Sequence, residues 1–168
     1  MRSQNGWKVI ESQSSKDLVV IRIPGTGVPG IPLRLQKDCA PLLAYLAGRV
    51  HKEVTDLKLG NKPGVQDEGG YNLRKIDGSS SYSNHASGTA IDLNWTRFPM
   101  FRRKMTHKQR VVSEAIASEL SEVIAWGGNY SPSRVDEMHW EIKEGTSLAE
   151  VRAFIKSYGI RKNGTRSL

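Results

Sequence analysis

Two short stretches hold the side chains best suited to chemistry. In Ser83-Asn84-His85-Ala86-Ser87-Gly88-Thr89-Ala90-Ile91-Asp92 a histidine and an aspartate are joined through a glycine turn and a run that alternates with period two. The alternation puts Thr89, Ile91 and Leu93 on one face and Ala90, Asp92 and Asn94 on the other, so Asp92 has the small Ala90 as its neighbour. A carboxylate in such a place is costly unless it is paired or binds a metal. The second stretch, Asp136-Glu137-Met138-His139-Trp140-Glu141-Ile142, also alternates, with His139 and Glu141 facing away from the apolar Met138, Trp140 and Ile142. Two such strands side by side, polar faces together, would bring His85, Asp92 and His139 into one cluster. Two nitrogens, one oxygen and a position left for water make the donor set of a catalytic zinc rather than a closed structural one. Asp136, three residues before His139, sits where the strand begins and suits a general base acting on that water. Glu141 shares the face of His139 and is placed to orient a ligand imidazole.

The rest of the chain must supply a scaffold for these two strands. Asp38 is an expected N-cap for a helix to about Asp56, with Leu42, Leu43, Tyr45, Leu46, Val50 and Val54 on its apolar face. Thr106-x-x-Gln109 is a capping box that opens a helix from His107 to about Trp126, stopped by Gly127-Gly128. A second box, Ser147-x-x-Glu150, opens a last helix that ends at Gly159. Residues 1–35 read as short strands and turns, an edge hairpin or wrapping arm. Residues 58–70 form a glycine-rich loop, and residues 160–168 form a short, basic, frayed tail. The expected organisation is a single domain over residues 1–168 in the α+β class.

Composition narrows the function classes. The 168 residues are 38% hydrophobic and 25% charged, as in a globular protein, and no stretch is apolar enough to span a membrane. The polar N-terminus lacks the apolar core of a signal peptide, which predicts synthesis in the cytoplasm. One cysteine, Cys39, excludes an internal disulfide and a cysteine-built metal site. The net charge of +8 points to an anionic partner: nucleic acid, a membrane surface, or the anionic polymers of a Gram-positive wall. Residues 95–110 interleave Phe98 and Phe101 with basic residues, a combination that also grips single-stranded nucleic acid. A nucleic-acid-binding module does not account for two histidines and two aspartates at these spacings, and the capping box explains part of the segment as structure.

The pattern Ser83-x-His85-x-x-Gly88-x-Ala90-x-Asp92 followed by Asp136-x-x-His139 resembles the VanY-type zinc peptidases of bacterial cell-wall metabolism. Gly69-Gly70-Tyr71-Asn72-Leu73-Arg74-Lys75-Ile76 and Trp126-Gly127-Gly128-Asn129-Tyr130 are similar to segments that the endolysin members carry before the first and last histidine. In order, the four blocks extend the resemblance over roughly residues 33–158. It implies a central antiparallel sheet bearing a zinc site and flanked by about three helices, of the DD-peptidase/hedgehog-like type. It also implies that Arg74 faces the substrate, binding a carboxylate or the developing oxyanion, and gives Ser83 a part in positioning substrate. Many carboxypeptidase relatives have Glu at the base position, whereas Asp136 is what the phage endopeptidases tend to show. The resemblance thus implies a phage-type endolysin cleaving the L-Ala–D-Glu bond of peptidoglycan stem peptides. Such a protein would be a monomer, made in the infected host's cytoplasm and acting on the wall after release, with no nucleic acid bound and no membrane insertion. D-Ala-D-Ala carboxypeptidase activity is the alternative, and a non-enzymatic wall- or nucleic-acid-binding domain a remoter one. Asp136→Ala is expected to abolish hydrolysis with zinc still bound, and Glu137→Ala to be nearly silent toward hydrolysis.

Overall fold

The computed structural model describes residues 1–57 and 64–167. A helix, α1 (Ala40–Glu53), forms the centre of the core, with Leu42, Leu43, Leu46 and Val50 essentially inaccessible. Each buried leucine there contributes about 1.5–3 kcal/mol. The predicted cap is corrected: Cys39, fully buried, takes the N-cap position without a side-chain bond, and Pro41 starts the first turn. Asp38 instead accepts from Arg152 and Gln36, which ties the helix entry to the C-terminal helix.

Ahead of α1, β1 (Leu18–Arg22) and β2 (Pro32–Gln36) form the expected antiparallel hairpin. The main sheet has four antiparallel strands in the order β3 (Glu68–Gly69), β4 (Ala90–Leu93), β6 (His139–Ile142), β5 (Ile124–Trp126). One face buries Ile91, Leu93, Trp140 and Ile142 against the helices; the other carries Asp92, His139 and Glu141. The fold is α+β, with three α-helices among the described residues.

The capping boxes at Thr106 and Ser147 are both formed, opening α2 (His107–Glu119) and α3 (Leu148–Tyr158). Three boundaries differ from expectation. Helix α2 stops seven residues early: after Leu120 the chain turns, and residues 124–126 pair with β6 as β5. Tertiary pairing overrides the helical stripe there, because the Trp126 ring stacks on Trp140 at 5.3 Å and its Nε1 donates to Glu137 O. Within the predicted loop 58–70, of which 58–63 lie outside the described residues, Glu68 and Gly69 add β3 to the sheet. The C-terminal tail is not frayed over its described part: Ser167 N donates to Gly159 O, Arg161 N donates to Thr165 O, and Gly164 packs on Ala44. No helix among the described residues is long and apolar enough to cross a membrane.

Candidate metal centre

Strand pairing assembles the site. In the β4–β6 register Asp92 lies opposite His139 and Ala90 opposite Glu141. Opposed side chains on one face of an antiparallel pair have Cβ atoms about 4.5–5.5 Å apart. His85 comes from a one-turn 3-10 helix (Asn84–Ser87) that Ser83 caps by accepting from His85 N at 3.3 Å. Gly88 ends that turn at φ +68°, and a Cβ there would lie 2.6 Å from Gln36 N, so both conformation and space require glycine. The chain reverses and returns as β4, which carries the His85 ring over Asp92.

His85 Nε2 lies 3.1 Å from Asp92 Oδ2, and His139 Nδ1 lies 2.9 Å from Asp92 Oδ1. One nitrogen or oxygen from each of the three side chains falls within 4.8 Å of the others. The outer nitrogens are both engaged: His85 Nδ1 donates to Gly70 O at 2.7 Å, and His139 Nε2 donates to Glu141 Oε2 at 2.7 Å. Those bonds leave His85 Nε2 and His139 Nδ1 to turn their lone pairs inward. His85 Nε2 is buried and, although close to Asp92, makes no aligned hydrogen bond. A lone pair facing a carboxylate is repelled unless a cation lies between them. The donor set therefore fits a metal ion.

Where no metal is bound, a proton on His139 takes its place in the balance of charge, and metal binding would displace it. Burial raises the Asp92 carboxyl, but His85 and His139 outweigh it and hold the group well below the usual carboxylate range. Burial opposes a charged His139, yet its bonds to Asp92 and Glu141 push its pKa up to about 10. Glu141 is held in turn: Asn84 Nδ2 donates to Oε2 at 2.6 Å and the Tyr130 hydroxyl to Oε1 at 2.8 Å. Burial raises the Glu141 carboxyl as well, but His139, Asn84 and Tyr130 bring it below the ordinary value.

Asp136 precedes β6 and is buried, with Oδ1 unpartnered. Burial raises its pKa to about 6; His139, His85 and Arg74 oppose this and Asp92 adds to it. Half-buried Arg74 is tied by its backbone to the segment before His85, where Ser83 N donates to Arg74 O and Lys75 bridges Tyr82, and its charge is felt at Asp136. Gly127 serves this region rather than ending a helix, because a Cβ there would meet Asp136 O at 2.3 Å.

Two residues of the motifs carry local structural roles. Glu137 is fully buried and accepts from the backbone amides of Lys104 and Met105, so it cannot be silent toward folding. Ser83 is buried as the cap of the His85 turn, which gives it a local structural role. Sequence reasoning missed Asn5, Asn84 and Tyr130. Asn5 Nδ2 donates to Thr89 Oγ1 and Ile142 O, and Asn5 N donates to Asn84 Oδ1, so the N-terminal segment braces the His85 turn from behind. Tyr130 closes the segment Trp126-Gly127-Gly128-Asn129-Tyr130, but nothing in its spacing pointed at Glu141.

Residues 77–142 match the peptidase family model described as D-alanyl-D-alanine carboxypeptidase. This span is under half of the chain, but it contains His85, Asp92, Asp136, His139 and Glu141, so the similarity to VanY-type M15 peptidases, metallopeptidases of a class that acts on peptidoglycan, falls on the residues of the site. No curated protein and no solved structure matches it.

Proposed function

We propose that the chain is a zinc-dependent endopeptidase of the phage-endolysin type, cutting peptidoglycan stem peptides at the L-Ala–D-Glu bond. The single observation that carries this reading is the His85–Asp92–His139 cluster with the unpartnered Asp136 carboxyl beside it. His85 Nε2, Asp92 and His139 Nδ1 are the proposed zinc ligands, and Glu141 and Gly70 O orient the two imidazoles. Zinc held by such donors lowers the pKa of a bound water toward about 7 and polarises a carbonyl. Asp136 Oδ1 accepts the proton of the attacking water and returns it to the leaving amine, a task suited to a carboxyl whose pKa is raised to about 6. Arg74 pairs with the negative charge that develops on the carbonyl oxygen or with a stem-peptide carboxylate. Aspartate at position 136 favours the endopeptidase. The description of the matching family favours a second reading, removal of terminal D-Ala by the same machinery.

The net charge of +8 supports concentration of a monomeric protein on an anionic wall after its release from the host cytoplasm. Digestion of purified peptidoglycan with and without a chelator, with new termini read by mass spectrometry, tests the reading. A chelator-sensitive cut that exposes the D-Glu amino group is expected. Release of D-Ala instead would select the carboxypeptidase, and no cut on any wall type with metal bound would overturn both.

A further inference from the structure

Strand register places a large aromatic side chain on the metal-site face. Gly69 in β3 lies opposite Asp92 in β4, and opposed residues of an antiparallel pair project to the same side of the sheet. A Cβ on Gly69 would therefore point to the side that carries Asp92 and His139. What it would meet there, at 3.2 Å, is Cζ3 of Trp95. The indole thus lies over β3, one strand away from Asp92, in the space that glycine leaves.

The backbone that carries the indole is anchored. Asn94, at φ +56°, turns the chain sharply at the end of β4 and anchors its own side chain on Thr55 Oγ1. Trp95 N then donates to Asp67 O at 3.1 Å, and the Thr96 hydroxyl donates to the Asp67 carboxylate. Two residues further on, Phe98 is sunk in the core, 4% exposed. Trp95 nevertheless remains 40% exposed, whereas Trp126 and Trp140 are buried. An exposed indole on an anchored backbone beside a polar reaction centre offers apolar contact.

We propose that Trp95 is a substrate-recognition residue, packing its exposed indole on an apolar C–H face of the peptidoglycan fragment next to the scissile bond. The inference rests on the peptidoglycan reading above. Two parts of that substrate present such a face, an alanine methyl and the pyranose ring of the muramyl sugar.

The test uses two ligands, a stem peptide without sugar and the corresponding muramyl peptide, with the zinc-loaded protein and its Trp95→Ala, Trp95→Phe and Gly69→Ala variants. Trp95→Ala is expected to raise KM about tenfold with kcat within about twofold and zinc content unchanged, while Trp95→Phe restores most of the binding. Gly69→Ala, which displaces the indole, raises KM in the wild-type background and adds nothing to Trp95→Ala. In an Asp136→Asn background, where turnover is stopped, ligand changes tryptophan emission, and Trp95→Phe removes that change. An effect with both ligands assigns the contact to the alanine; an effect confined to the muramyl peptide assigns it to the sugar. Unchanged KM with both ligands, or parallel loss of zinc, kcat and stability without rescue by phenylalanine, overturns the proposal. If the wild-type protein neither binds nor cuts either ligand, the peptidoglycan reading fails first.

Discussion

Neighbouring carboxylates at positions 136 and 137 should fail in opposite ways when they are neutralised. Asp136 bonds no other side chain and keeps Oδ1 free, whereas Glu137 is fully buried with two backbone amides on its Oε1. For Asp136→Asn the expected loss is that of a general base, about 10²–10⁴ in kcat/KM, with one zinc still bound per chain. Its effect on folding has the other sign. The Asp136 pKa is raised from 3.8 to about 6 in the folded chain, so the folded state holds its proton more tightly and stability falls as pH rises through that window. At pH 7 and in chelator, removing the charge should stabilise by roughly 1–3 kcal/mol, at about 1.4 kcal/mol per pKa unit. Glu137→Gln keeps an acceptor for the amides of Lys104 and Met105 but loses charge assistance, a cost of roughly 1–2 kcal/mol. Glu137→Ala orphans both amides at about 1–3 kcal/mol each. For a chain of this size, 1 kcal/mol moves Tm by about 2–4 °C. The Gln variant should thus melt roughly 3–6 °C lower and the Ala variant about 10 °C lower, both turning over normally at 20 °C. Stem-peptide kinetics, zinc content and thermal melts on the three variants decide the matter. Full turnover by Asp136→Asn, or lost turnover by a folded, zinc-loaded Glu137→Gln, would refute the assignment.

Glu68 and Asp67 are adjacent and buried, and burial followed by the Asp67 charge pushes the Glu68 pKa up to about 8. Stability should therefore decline between the ordinary pKa of 4.5 and pH 8, and Glu68→Gln should flatten that decline; equal slopes in melts at pH 5, 6.5 and 8 would count against it. Glu141→Gln retains an acceptor for His139 and Asn84 but removes the charge behind the imidazole, so zinc affinity should drop about 10–100-fold by chelator competition, and the melt in chelator should fall as well, since the folded chain favours the ionised Glu141. Unaltered affinity would remove Glu141 from the site. Asn5→Ala should cost about 1–3 kcal/mol and weaken zinc binding through the His85 turn, although residue 5 is about 80 positions away in sequence; a melt like that of the wild type would show that the brace is idle.

Local chemistry made much of this legible in the sequence alone. Period-two alternation in the two motif strands fixed which side chains share a face, and the capping boxes at Thr106 and Ser147 marked two helix starts to the residue. The proposed ligand trio could be read because Asp92 and His139 fall on the polar faces of their strands and His85 stands just before the glycine turn that leads back to Asp92. Long-range packing decided the rest. Periodicity could not end α2 at Glu119, since the pairing of residues 124–126 with β6 is what outweighs the helical stripe. Glu137 and Asp136 look alike in a string; only the proximity of the amides of Lys104 and Met105 separates them. Asn5, Tyr130 and Trp95 gained their places from contacts across 79 to 137 positions, from 11 positions, and across a sheet register, none of which leaves a period or spacing behind. A side chain's chemistry is encoded where it stands, but its partners are set by the free energy of the whole packed chain.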